Sequence, residues 1–297
     1  MIDLVIQAGR RDLGGFEVGR VLPAAERRMV GPFVFFDHIG PVVLPPNVPR
    51  SFDVRPHPHI GLATVTYLFA GEITHRDSIG YAQVIQPGEV NWMTAGRGIS
   101  HSERFDTMRR SGGLLHGIQA WVALPEEQEE IAPSFVHIGS NDLPSRELAG
   151  AYVKIIAGSA FGLTSRVATL SSLFYVHVGL QAHAACDVPP GYPERAVYVA
   201  EGRIRIAARE YHPGQMIVLE AGSSVTLVAL DPAIVMLLGG EPLGTRHLWW
   251  NFVSSRKERI EQAKAEWKAG RIPLPASDAA EFIPLPEEPP PPPEPMS

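Results

Sequence analysis

The chain is poor in cysteine, with a single residue, Cys186, in 297. One thiol excludes an internal disulfide framework and fits a reducing compartment. No histidine or positive helix terminus adjoins Cys186 in sequence, so it reads as a quiet buried residue rather than a reactive one. Positive charge is also scarce. Against 32 Asp and Glu there are 26 Lys and Arg, a formal net charge of -6, which gives no overall basic field to hold nucleic acid. No apolar run is long enough to span a bilayer. The start of the chain lacks the charged, apolar and small-residue regions of a signal peptide, so a soluble cytoplasmic protein is expected.

What the chain does contain is strand-forming material cut by turns. Gly and Pro number 28 each, and apolar residues make up 45% of the chain, enough for two cores. Apolar and β-branched segments at residues 64–69, 81–85, 90–93 and 117–123 are bounded by Ala70-Gly71, Pro87-Gly88, Ala95-Gly96 and Pro125. Short strands separated by turns every ten residues or so predict an antiparallel sandwich or barrel. The punctuation then repeats. Gly202 follows residues 195–199 as Gly71 follows 66–69, Pro213-Gly214 echoes Pro87-Gly88, and Ala221-Gly222 echoes Ala95-Gly96. Two copies of one β unit, divided near 130–150, follow from this.

Toward the end the pattern changes. Ser255 and Glu258 have the spacing of a capping box, Ile260, Ala263 and Trp267 share one helical face, and Gly270 stands where a C-terminal cap would. These predict one short amphipathic helix. The Pro- and Glu-rich run from Glu287 onward reads as a solvated, disordered tail.

Chemistry concentrates in two short motifs, His57-Pro58-His59 and His101-Ser102-Glu103. Side chains at i and i+2 of a strand point to one face. If the two strands face each other, three imidazoles and a carboxylate converge, which is a metal site. A ligand set without cysteine argues against a structural zinc site. Four ligands on an octahedral ion leave two positions open. The set resembles the two-histidine, one-carboxylate arrangement of non-haem iron with one histidine more, so Fe(II) is the first choice, and zinc, nickel, copper, manganese or cobalt could substitute. Aligning the repeats by their glycines puts Val188, Pro190, Leu227 and Ala229 at the corresponding positions, so the site belongs to the first copy only. His75 could orient a ligand or face solvent in a turn. His38 reads as structural, and Asp37 as a hydrogen-bonding residue at a strand end.

Residues 31–41 (Gly-Pro-Phe-Val-Phe-Phe-Asp-His-Ile-Gly-Pro), 55–61 (Arg-Pro-His-Pro-His-Ile-Gly) and 92–103 (Trp-Met-Thr-Ala-Gly-Arg-Gly-Ile-Ser-His-Ser-Glu) resemble the signature of the pirin family in the cupin superfamily. The resemblance implies an all-β bicupin: two facing antiparallel β-barrel domains of jelly-roll type with a short C-terminal helix. Its expected divisions are a metal-binding cupin at 1–132, a metal-free degenerate cupin at 133–245, the helix and packing segment at 246–286, and the tail at 287–297. It also implies His57, His59, His101 and Glu103 as iron ligands. The glutamate that many cupins carry soon after the histidine pair is absent, Leu62, Ala63 and Thr64 standing there, and Glu103 supplies the carboxylate instead.

The activity implied is that of a quercetin 2,3-dioxygenase, opening a flavonol-like aromatic with dioxygen and releasing carbon monoxide, with Glu103 as the catalytic base. The partners implied are a small aromatic substrate and dioxygen; charge and apolar runs propose no nucleic acid or membrane, and a monomer is expected because a two-barrel chain can bury its sheet faces within itself. The family also offers a non-enzymatic alternative, a redox-responsive iron-binding regulator acting through protein partners. Isomerisation or hydrolysis of a small metabolite is a third reading.

Overall fold

The computed structural model describes residues 1–12, 16–287 and 294–296. They fall into two compact units, and the division does not follow chain order. One unit comprises Met1–Gly9, Gly19–His38 and Ile138–Pro242; the other comprises Arg10–Val18, Ile39–His137 and Leu243–Ser297. Among the described residues no helix is long and apolar enough to cross a membrane.

The unit holding both His motifs is built on two antiparallel sheets. The larger includes Ser134–Ile138, Val90–Thr94, Leu62–Ala70 and Gly113–Ala123 as successive neighbours, then Phe33–Leu44, which the division cuts after His38. Seven of the nine residues of Leu62–Ala70 are buried in sequence, as befits a central strand rich in Val, Thr and aromatic residues. The smaller sheet runs Val54–His59, Ile99–Arg104, Ile73–Asp77, Ala82–Ile85. Its first strand in sequence pairs with its last, the long-return pairing of a Greek key. Gly61 makes the turn between Val54–His59 and Leu62–Ala70 at φ +67°, where a Cβ would meet the Val253 carbonyl oxygen at 2.0 Å. Only glycine fits there.

The other unit repeats this plan. Its four-stranded sheet runs Ala185–Asp187, Thr226–Ala229, Ile204–Ile206, Arg209–Tyr211. The second sheet runs Gln215–Leu219, Glu194–Glu201, Ala233–Gly240, Leu173–Leu180, and the N-terminal strand Ile2–Gln7 pairs onto Gln215–Leu219. Two such units make the chain an all-β bicupin with one short C-terminal helix.

Register refines the comparison of the two copies. His101 lies opposite His57 on one side and Asp77 on the other, while Leu227 lies opposite Cys186 and Ile206. Cys186, not Val188, therefore stands at the position of His57. Val188, whose N–H donates to the Val225 carbonyl at 2.9 Å, stands at that of His59. Cys186, Val188, Leu227 and Ala229 all belong to a buried apolar core, and burial pushes the Cys186 thiol up to about 11. The same unit holds Asp37, bound through both carboxylate oxygens by Arg20 at 2.8 Å, and buried His38, whose Nδ1 lies 2.7 Å from the Tyr198 hydroxyl.

The C-terminal helix is Lys257–Lys268, burying Ile260, Ala263 and Trp267 on one face together with Arg259. The capping box does not form. Arg256 is the N-cap, without a side-chain cap, and the Ser255 hydroxyl donates to Glu129 at 3.1 Å instead. Buried Glu129, which also accepts from the Ser254 hydroxyl and the Ser255 N–H and pairs with Arg246, competes successfully for that serine. Gly270 does take the left-handed conformation beyond the helix, at φ +65°. The tail expectation falls largely outside the described residues; within it the Glu294–Met296 backbone pairs with Arg246–Leu248 as a strand.

Candidate metal centre

His57 and His59 sit on Val54–His59, the edge strand of the smaller sheet, and His101 sits on its neighbour. An edge strand tolerates Pro56 and Pro58, which cannot donate to a ladder. The register shifts between His101, opposite His57, and Glu103, opposite Val54, so the His57 strand carries an extra residue in a bulge.

The three imidazoles are buried and converge. Their ligand nitrogens lie within 4.8 Å of one another. Ring centroids are 4.5 Å apart for His57 and His101, 4.9 Å for His57 and His59, and 5.0 Å for His59 and His101. Trp121 packs edge-on against His59 at 5.0 Å.

Hydrogen bonds orient the rings. His57 Nδ1 lies 2.9 Å from the Arg55 carbonyl and His59 Nδ1 lies 3.2 Å from the Asn251 carbonyl. A carbonyl only accepts, so both Nδ1 atoms carry the proton and both Nε2 atoms keep a lone pair. Burial, against the bond to Arg55, lowers the His57 pKa to about 4, and burial lowers His59 and His101 well below the usual histidine value. Neutral imidazoles are what a metal needs. His59 Nε2 and His101 Nε2 stand 3.1 Å apart in a buried site, an arrangement that suits two donors to one cation. The residues present fit a divalent metal.

Glu103, the fourth expected ligand, is not among the three gathered donors. The residue keeps partial exposure, but burial of its carboxyl pushes its pKa up to about 7, opposed by a hydrogen bond from Thr66. His75 is buried and lies opposite Glu103, its ring stacked on Phe135 at 4.5 Å. It is not in a solvent-facing turn. Asp77, which the motifs alone do not single out, stands next to this group. It lies opposite His101, and its Oδ2 is 3.0 Å from His75 Nε2. The i, i+2 spacing of His75 and Asp77 was a visible signal, the same one that marks the other two pairs.

A two-cupin protein with a buried three-histidine centre in one copy is thus the class that fold and site define. The family model for pirin matches residues 15–122, and that for the pirin C-terminal cupin domain matches residues 175–273. The chain belongs to the pirin family. A pirin-like protein of Caulobacter vibrioides is 59% identical over 97% of this chain and 100% of its own. Human pirin is 31% identical over 86% of this chain and 87% of its own. A crystal structure of quercetin 2,3-dioxygenase from Acinetobacter baumannii superposes with a TM-score of 0.88 at 32% identity, covering 96% of this chain and 95% of that one.

The titrating groups set opposite pH windows for the metal-stripped protein. Between about pH 4.5 and 7 the folded state keeps a Glu103 proton that the unfolded state has released, so this group lowers stability as pH rises through that window. Between about pH 6.5 and 4 the unfolded state protonates histidines that the folded state keeps neutral, so they lower stability as pH falls. Stripped Glu103→Gln protein should therefore exceed stripped wild type in stability by up to about 3 kcal/mol at pH 8, with the gap closing near pH 4.5. Urea midpoints across that range measure it; a gap that does not change with pH would remove the buried-carboxyl assignment.

Proposed function

We propose that the protein is an iron-dependent dioxygenase of the quercetin 2,3-dioxygenase type, opening a flavonol-like aromatic with release of carbon monoxide. The observation that carries this reading is the convergence of three buried imidazoles on two neighbouring strands, with Glu103 two residues beyond His101 on one of them. The likeness to the Acinetobacter enzyme over nearly the whole chain supports it. His57, His59 and His101 would hold the metal, with Glu103 as the fourth ligand when it turns inward. Bound Fe(II) supplies Lewis acidity toward an enol oxygen and redox chemistry toward dioxygen. Glu103 accepts the flavonol hydroxyl proton, and a pKa of about 7 suits a base working near that pH. The Thr66 hydroxyl has one proton to give, and turning it from the Gln119 side-chain oxygen, 2.7 Å away, to Glu103 steadies the carboxylate when it is charged.

The test is anaerobic reconstitution with Fe(II), then quercetin and a measured pulse of dioxygen, with carbon monoxide and ring-opened product quantified. Metal-dependent release of both is expected. Glu103→Gln should lower turnover by roughly 10²–10⁴-fold, the usual worth of general base catalysis, with a much smaller loss of metal. Equal loss of turnover and metal would end the base role. Tight metal binding with no turnover would point instead to the redox-responsive regulator, and turnover indifferent to oxygen would point to isomerisation or hydrolysis.

A further inference from the structure

Behind His101 stand two buried polar groups that the proposed chemistry does not use. His101 Nδ1 lies 3.3 Å from His75 Nδ1, and His75 Nε2 lies 3.0 Å from Asp77 Oδ2. Asp77 Oδ1 accepts the N–H groups of Ile79 at 3.1 Å and Tyr81 at 3.0 Å, so the carboxylate is fixed by its own turn. All three side chains are buried.

With Asp77 charged and His75 carrying a single ring proton, the donors and acceptors along this line are determined. A carboxylate only accepts, so His75 must donate from Nε2. In the neutral ring that leaves His75 Nδ1 as an acceptor, so the proton between the two histidines belongs to His101 Nδ1. His101 Nε2 is then a lone pair, on the side where His59 Nε2 stands. We infer that Asp77 and His75 are positioning residues that lock His101 in its metal-binding tautomer through two hydrogen bonds in series. This rests on the reading of His57, His59 and His101 as metal ligands. It gives His101 the counterpart of what His57 and His59 receive from backbone carbonyls. Outer partners of this kind set both the ring orientation and the basicity of a ligating histidine.

The bland reading is that His75 merely fills the space against Phe135. Two variants separate the readings. Asp77→Asn keeps a carbonyl oxygen for the Ile79 and Tyr81 N–H groups but can turn an N–H₂ toward His75 Nε2, which reverses the series and puts the wrong proton on His101. His75→Phe keeps the stack on Phe135 and removes the acceptor. The probe is Zn(II) alone, bound to the full chain and withdrawn by a chelator. Each variant is expected to lose zinc affinity by roughly 10–100-fold, the usual effect of removing such a partner. Nitrogen NMR of the zinc-loaded wild type, labelled at histidine, should show His75 protonated at Nε2 and a nitrogen–nitrogen coupling across the hydrogen bond from His101 Nδ1 to His75 Nδ1. A space-filling role would produce neither signal. Wild-type zinc uptake with unchanged affinity in both variants, or a His75 proton on Nδ1, would overturn the inference alone. Failure of the wild type to take up zinc would overturn the metal reading and the inference with it.

Discussion

Replacing His101 by alanine is expected to weaken Zn(II) or Fe(II) binding by roughly 10²–10³-fold and to abolish carbon monoxide release. Structural zinc sites with four ligands are worth about 10–16 kcal/mol, so one ligand carries about 3–4 kcal/mol. Among the three imidazoles His101 is the one whose loss should tell most clearly. Its Nε2 stands 3.1 Å from that of His59, and its ring lies 4.5 Å from that of His57, so it touches both other donors. The ladder should survive the change, because the strand Ile99–Arg104 pairs on both sides through its backbone. Loss of affinity without loss of fold is therefore the expected pattern, read by chelator competition alongside circular dichroism. The corresponding positions of the second copy cannot compensate. Cys186, Val188, Leu227 and Ala229 occupy the corresponding positions, all inside an apolar core. A His101→Ala protein that bound metal with wild-type affinity would place the metal elsewhere.

The candidate donors were legible because strands have a period of two. His57 with His59, and His101 with Glu103, each share a face whatever the rest of the fold does, and the Gly- and Pro-marked turns around them announced short strands. The same punctuation exposed the repeat. It did not carry register: counting between glycines placed Val188 at the position of His57, whereas the pairing of Leu227 places Cys186 there. Loop lengths change between copies without moving the strands, so turn-to-turn distance is a poor ruler for pairing. Long-range partners were also invisible. Nothing local in Ile2–Gln7 says that it will pair with Gln215–Leu219. Nothing in Ser255 says that Glu129, 126 residues away, will take the hydroxyl a helix cap would use. Glu103 shows a further limit. Sequence spacing gave its face, but its side chain engages Thr66, and the three histidines gather without it.

Arg104→Met is expected to destabilise the fold by about 3–5 kcal/mol, the usual cost of breaking a buried ion pair from one side. Arg104 is 2% exposed, so its charge has no access to water and depends on its partners. Its Nε and Nη2 donate to the two carboxylate oxygens of Asp278 at 2.7 and 2.8 Å, and its Nη1 reaches Glu281 at 3.1 Å and Asp53 at 3.4 Å. Methionine fills much of the volume, so the loss would measure uncompensated carboxylates rather than a cavity. Asp53 retains Arg109 and the Phe105 N–H, and most of the cost should therefore fall on Asp278. Asp278→Asn, which keeps an oxygen for the guanidinium, is expected to cost less. The effect should also reach the metal. Ser100, Ser102 and Arg104 alternate with Ile99, His101 and Glu103 along one strand, and all three bind the segment after the C-terminal helix: Ser100 donates to the Pro273 carbonyl and Ser102 to Asp278, each at 2.6 Å. Ile283 closes the strap by donating its N–H to the Pro56 carbonyl at 2.8 Å, on the strand that carries His57 and His59. The segment thus clasps both ligand strands through groups other than the metal-facing imidazoles. Urea unfolding gives the stability change, and chelator-driven release of zinc gives its transmission to the site. Faster release in Arg104→Met, with unaltered ligands, is the expected result; stability within about 1 kcal/mol of wild type would mean that the network contributes little net energy.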